Sequence, residues 1–283
     1  MSGYTLTGAN GDVITFDNTT YVLNPSLIGF GIPPTSVRID ESARYGGIHR
    51  YTRRGVRNVD MPVTVLGTSA TDVESKLRRL AKLTQDTAGP TKLTALRDDG
   101  DVFLELHYVG GAELEYGDDT GGYTWAKAML SFQAPNPYWQ STDTESFIIT
   151  SGNTGRGLLP QLSKLKVSSS QAIGIVNVDN DSDVPVYPVI RVAGPVDNLQ
   201  VSLDGQGWTF TESVTTGEVY LVDHETATVE DAAEANRYDI LGTSPKFFTL
   251  PPGTSAVLIT GTNADANTQI TVEYNLAYEV VHG

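Results

Sequence analysis

Along most of the chain, apolar and polar residues alternate in short runs that break at glycine, proline, asparagine or aspartate, the pattern of half-buried strands joined by turns. The clearest run is 123–134, where Ala126, Ala128, Leu130, Phe132 and Ala134 share one side and Lys127, Ser131 and Gln133 the other. Similar runs predict strands over 4–7, 13–16, 19–23, 57–66, 91–97, 102–109 and 112–116. Pro62 suggests that 57–66 lies near a sheet edge. The stretch after Gly67 has a different period. Val73, Leu77, Leu80 and Ala81 form one helical stripe, Thr71 and Glu74 have capping-box spacing, and Asp72 precedes Lys76, Arg78, Arg79 and Lys82, as the helix dipole favours. Residues 117–122 read as an acidic, glycine-rich loop, and the apolar segment 27–34, broken by glycine and proline, as an extended stretch that wants a partner surface.

Pro135-Asn136-Pro137 ends the central strand, because each proline removes a ladder donor and biases the residue before it away from the helical region. Tyr138 and Trp139 follow at once, two rings able to anchor a chain at a break. This motif predicts a domain boundary, with residues 1–141 forming an α+β barrel or sandwich with one covering helix and residues 142–283 a second domain. Beyond it strands are expected at 146–150, 173–178, 187–192, 199–203, 208–211, 219–222, 247–250, 256–260 and 268–278, the spacing of a β-sandwich. The expected fold is mainly β.

Charge sharpens the division. Residues 1–142 carry 13 basic and 16 acidic side chains, whereas 143–283 carry 6 and 18, in a chain of net charge −15. Such a balance opposes clamping of nucleic acid by phosphate neutralisation and permits a surface past which nucleic acid slides. No run approaches the length of a membrane-spanning helix, and Met-Ser-Gly-Tyr-Thr-Leu lacks the regions of a signal peptide, so neither membrane insertion nor that route of export is expected. With no cysteine in its 283 residues, the chain has no disulfide framework or thiolate site.

Positive charge concentrates in one segment: Arg38, Arg44, Arg50, Arg53, Arg54 and Arg57, with Tyr45, Ile48 and Tyr51 between and glycines 46, 47 and 55 as punctuation. It has three readings: a nucleic-acid contact, a solvated hairpin, or a projecting arm that lies on an acidic patch of a neighbouring subunit. The last suits arginine's planar fork best, and makes Arg44, Tyr45, Arg50, Tyr51, Arg53 and Arg54 the candidate inter-subunit contacts, with Asp98–Asp101 or Asp118 and Asp119 as acidic partners.

Catalytic and metal patterns are weak. The four histidines lack ligand spacing. Asp179, Asp181 and Asp183 mimic the start of a calcium loop, but Val184 and Ile190 stand where it needs Gly and Glu, leaving a hydrated loop with at most an incidental cation. Asp223-His224-Glu225 forms no relay by adjacency, since strand neighbours point to opposite faces. A glycosidase carboxylate pair stays open, because two acids can converge from anywhere in a sandwich. No cofactor motif occurs, and the chain is not expected to be an enzyme.

The order of signals, from the 27–34 segment through Tyr45-Gly46-Gly47, the arginine hairpin, a strand, a capped helix and Ala134-Pro135-Asn136-Pro137-Tyr138-Trp139, to Val184-Pro185, Gly194-Pro195, Leu250-Pro251-Pro252-Gly253 and Val272-Glu273-Tyr274, resembles the distal tail protein family of siphophages. The family often carries an acidic residue where Asn136 stands. The resemblance implies a tail-tube-like first domain that forms a ring, expected to be hexameric, and a galectin-like or carbohydrate-module-like sandwich outside it. It implies a virion protein at the distal end of a long non-contractile tail, assembled in the host cytoplasm, with a channel for DNA. Its implied partners are further copies of itself, the tail tube protein, and tail-tip, baseplate or receptor-binding proteins. The alternative is a carbohydrate-binding adhesin for a host surface glycan, for which Trp208, Tyr220 and Tyr238 are the rings able to stack on sugar.

Overall fold

The computed structural model describes residues 3–42, 45–85, 89–111, 124–150 and 174–281; the expected strand at 112–116 and loop at 117–122 lie outside them. The chain is mainly β, with antiparallel ladders and one α-helix among the described residues. It divides into two compact units, one formed by Met1–Thr142 with Tyr278–Gly283, the other by Asp143–Ala277. Residues 278–281 therefore group with the first unit, where the sequence places them in the second.

In the first unit, β1 (Gly3–Thr7), β2 (Val13–Phe16), β7 (Thr91–Leu96) and the first half of β8 (Val102–Gly111) pair in the order β2-β1-β7-β8. From His107 onward, with a register shift between Tyr108 and Gly110, β8 also pairs with β9 (Trp125–Ala134), which runs along the whole of β6 (Arg57–Leu66), which in turn pairs with β3 (Tyr21–Leu23). The described ladders do not close a barrel. β6 is not an edge strand. Pro62 faces Met129 on β9, and on the other side it stands where the β3 ladder ends, its carbonyl accepting from the Asn24 amide at 2.8 Å.

The alternation read from the sequence is the inward face of this unit: Ala126, Ala128, Leu130, Phe132 and Ala134 on β9 and Val59, Met61, Val63 and Val65 on β6 are all buried. Helix α1 (Ala70–Leu83) adds Val73, Leu80 and Leu83 to the buried set, while Ala81 stays exposed. Its cap differs from the expected Thr71–Glu74 box. Ser69 is the N-cap, with Oγ accepting from the Asp72 amide at 3.2 Å, and Asp72 Oδ2 accepts from the Thr68 amide at 2.8 Å. The box lies two residues earlier because Thr71 is already within the first turn.

One inward position of β6 is charged. Arg57 continues the Val59–Met61–Val63 face and is 1 % exposed. Its Nε donates to the Pro137 carbonyl (2.6 Å), Nη1 to those of Gly29 (2.6 Å) and Gly31 (2.7 Å), and Nη2 to that of Glu279 (2.9 Å). Burial pulls its pKa down to about 10, against the favourable charge of Glu279. Gly29 lets the 27–34 segment come this close: its φ is +85°, and a Cβ there would stand 1.9 Å from the Asn58 carbonyl oxygen. Beside it Phe30 packs between Tyr4 (ring centroids 5.2 Å apart) and Trp139 (5.9 Å).

The second unit has two sheets. One orders β16 (Thr228–Asp231), β15 (Val219–Asp223), β12 (Val189–Ala193), β18 (Gln269–Tyr278) and the later part of β10 (Trp139–Thr150); the other orders β11 (Ile175–Asn180), β17 (Gly253–Thr262), β13 (Asp197–Leu203) and β14 (Gln206–Thr209). Their inward residues, including Ile190, Val192, Val222 and Val272 on one and Val178, Val201, Val257 and Ile259 on the other, make a sandwich core. The expected strand at 247–250 is only an isolated bridge, Val186 to Leu250, and β16 is a strand that the sequence pattern does not announce.

His224 lies in this core, 2 % exposed. The Trp208 indole N–H donates to its Nε2 at 3.0 Å, which leaves the ring proton on Nδ1, facing the Phe248 carbonyl at 3.0 Å. Protonating Nε2 would oppose two donors. Burial lowers the histidine pKa to about 4, against the opposing pull of the Phe248 carbonyl and Asp223.

Two outcomes are expected. Arg57→Met should destabilise the first unit by about 3–5 kcal/mol in urea unfolding, since it strands several buried carbonyls, and Arg57→Lys should recover only part because one ammonium cannot span all four. Because the folded pKa of His224 lies below its unfolded value, its contribution is complete above about pH 6.5 and is lost as pH falls towards 4, a change of about 3 kcal/mol. His224→Phe should be less stable at neutral pH and lack that part of the pH slope, as measured by urea titrations between pH 4 and 7.

Candidate assembly interface

The arginine-rich segment forms a two-stranded hairpin of its own, β4 (Thr35–Glu41) with β5 (Gly47–Arg54), paired to neither of the larger sheets. All but two of its strand residues, Asp40 and Arg54, are exposed. A lone two-stranded hairpin buries too little to hold itself firmly. Its root is tied down instead. Arg54 Nε donates to Glu279 Oε1 at 3.0 Å, a second guanidinium N–H reaches the same oxygen, and a third bonds Thr35. Glu279 belongs to the residues whose backbone accepts from Arg57.

Among the candidate contacts, Tyr45 is fully presented near the turn, 90 % exposed, and Arg53 lies over the Tyr51 ring at 5.9 Å. Arg50 pairs with Asp40 at 2.6 Å, and Arg38 reaches the same carboxylate at 3.4 Å. Arg50 and Arg54 thus have acidic partners within their own chain. Arg44 lies outside the described residues, as do the proposed partners Asp118 and Asp119. On the other proposed acidic loop, Asp99 pairs with Arg97, and Asp101 accepts from the Arg97 amide at 3.0 Å. Arg57, grouped with the arm in the sequence, is a buried core residue.

The motif 135–139 is structural. Pro137 offers its carbonyl to Arg57, the Asn136 side chain accepts from the Tyr138 amide at 3.1 Å, and Trp139 is wholly buried, its indole N–H without a partner among the described residues. Pro135 is exposed and Tyr138 half-buried. What sequence reasoning missed is the arm's apolar content: Val37 is 53 % and Ile39 60 % exposed. Their alternation with Ser36, Arg38 and Asp40 was legible as a strand with one apolar face.

In the second unit the candidate sugar rings Trp208 and Tyr220 are buried, and only Tyr238 is exposed. The 179–183 loop is stapled by Asn180, whose amide donates to the carbonyls of Val184 (3.3 Å) and Leu250 (2.8 Å). Among the described residues no three His, Asp or Glu side chains gather as a metal site.

Compared with known proteins, the chain matches no protein-family model and no curated protein. Solved structures do match. The Dit protein of phage SPP1, described as a paradigm of the hub adsorption apparatus in phages that infect Gram-positive bacteria, superposes with a TM-score of 0.68 at 12 % identity, over 96 % of this chain and 99 % of that one. The chain has the fold of a phage hub protein. Chains of the phage P2 baseplate in its activated conformation, with calcium or strontium, give TM-scores of 0.58 and 0.59 at 9 % identity, over 99 % of this chain and 100 % of theirs. The expected mainly β, distal-tail-like fold is the one found.

The anchoring of the arm is open to test. Glu279→Gln should speed amide hydrogen exchange across 35–41 and 47–54 while changing global stability by less than about 1 kcal/mol, as suits a partly exposed pair. Unchanged exchange there would mean that the pair does not hold the hairpin.

Proposed function

We propose that this protein is a structural hub at the distal end of a siphophage tail, forming a ring, six-membered by the resemblance, between the tail tube and the tip or baseplate. The single observation that carries the reading is the match of nearly the whole chain to a phage hub protein. The projecting hairpin supports it, since an ordered root and an exposed shaft suit an element that joins copies side by side. Net charge supports it too: an acidic protein lets DNA pass through a ring without holding it. In this reading the first unit carries the ring, the second forms the peripheral domain, and the partners are the tail tube protein and tip, baseplate or receptor-binding proteins. The role is structural rather than enzymatic. A glycan-binding adhesin is the less favoured reading, because two of its three candidate rings are buried.

The purified chain should form a closed oligomer, with light scattering giving six times the chain mass and negative-stain images showing an annulus. A monomer at every concentration, with binding to a host glycan array, would favour the adhesin instead.

A further inference from the structure

The register of the β4–β5 hairpin sorts its side chains by chemistry. Thr35 faces Arg54, Val37 faces Thr52 and, beyond a shift after Arg38, Ile39 faces His49. These residues share one side, as the bonds Arg54–Thr35 and His49–Thr52 (2.7 Å) show. The other side holds Ser36, Arg38 and Asp40 against Arg53, Tyr51, Arg50 and Ile48, with Arg50 on Asp40 and Arg53 over Tyr51. Between Arg54 at its root and Glu41 near its turn, one face therefore holds Val37, Ile39, Thr52 and His49, and the other carries three arginines and one aspartate.

We infer that the arm is held on a second copy of this chain by the apolar face, Val37 and Ile39 foremost, while the arginine face governs the salt sensitivity of the encounter. This rests on the reading that the arm joins copies, and it changes which residues do so. Arg38 and Arg50 share the Asp40 carboxylate and Arg54 holds Glu279, so an acidic patch on a neighbour would compete with pairs already made. Val37 and Ile39 stand more than half exposed, and burial on a partner removes their apolar surface from water. Exposed Ile32 and Val56, next to the arm in the chain, add to the apolar surface at its root.

Charge identifies the occupant. Residues 35–54 carry five arginines and two acidic residues, whereas the rest of the chain carries 14 basic and 32 acidic side chains. A basic arm on an acidic body is complementary to another copy of itself, and the same body repels a polyanion such as nucleic acid.

The test compares the full-length chain with Val37→Thr/Ile39→Thr, which keeps β-branching, and with Arg38→Gln/Arg53→Gln, by sedimentation velocity at low and high salt. The threonine pair should weaken assembly by about tenfold or more at both salts, and the glutamine pair should flatten the salt dependence with a loss of less than roughly threefold at high salt. Since the chain has no cysteine, Ile39→Cys and Arg53→Cys report the faces separately. Thiol labelling at 39 should slow on assembly much more than at 53. A wild-type chain that assembles, with a threonine pair that assembles equally well, overturns the inference and leaves the ring reading standing. Strong protection at 53 with none at 39 overturns it as well. A wild-type chain that stays monomeric overturns both.

Discussion

A single buried guanidinium organises the first unit. Arg57 occupies an inward place on a strand whose next inward residues are valine and methionine, and it spends four N–H groups on carbonyls from three separate stretches of chain. Those stretches, the glycine-rich segment before the arm, the turn after β9 and the C-terminal return, contain backbone groups that no ladder supplies with partners. A lysine has too few directions and a neutral side chain too few donors. The charge is tolerated because the carbonyl dipoles converge on it, and its lowered pKa of about 10 still leaves it cationic at neutral pH.

The arm depends on the same knot. Glu279 accepts from Arg57 through its backbone and from Arg54 through its side chain, so the root of the hairpin and the core staple share one residue. The shaft beyond has no such support, with exposed residues on both faces. An element anchored at its base and unsupported along its length gains order by meeting another surface.

The second unit solves the polar problem differently. Its sandwich encloses a histidine rather than excluding it, and the Trp208 indole and Phe248 carbonyl satisfy both ring nitrogens. That arrangement holds while the ring is neutral. The Trp208 ring, which sequence alone leaves as a possible sugar platform, is committed to this core contact.

Much of this architecture is written in local pattern. Period-two alternation over 57–66 and 126–134 determines which faces are inward, the helix follows from its apolar stripe and first-turn acid, and Pro135 and Pro137 end the strand before them whatever surrounds them. Even the inward place of Arg57 follows from counting by twos from Val59, although charge argued for the surface. Tertiary structure decided what depends on partners distant in sequence: that Arg57 meets the carbonyls of Gly29 and Glu279, that Arg54 and Arg50 are already paired, that residues 278–281 return to the first unit, and that Trp208 and Tyr220 lie inside. Alternation is a property of neighbours along one strand, so a sequence displays it. A hydrogen-bond partner 222 residues away is a property of the folded chain, and no local pattern encodes it.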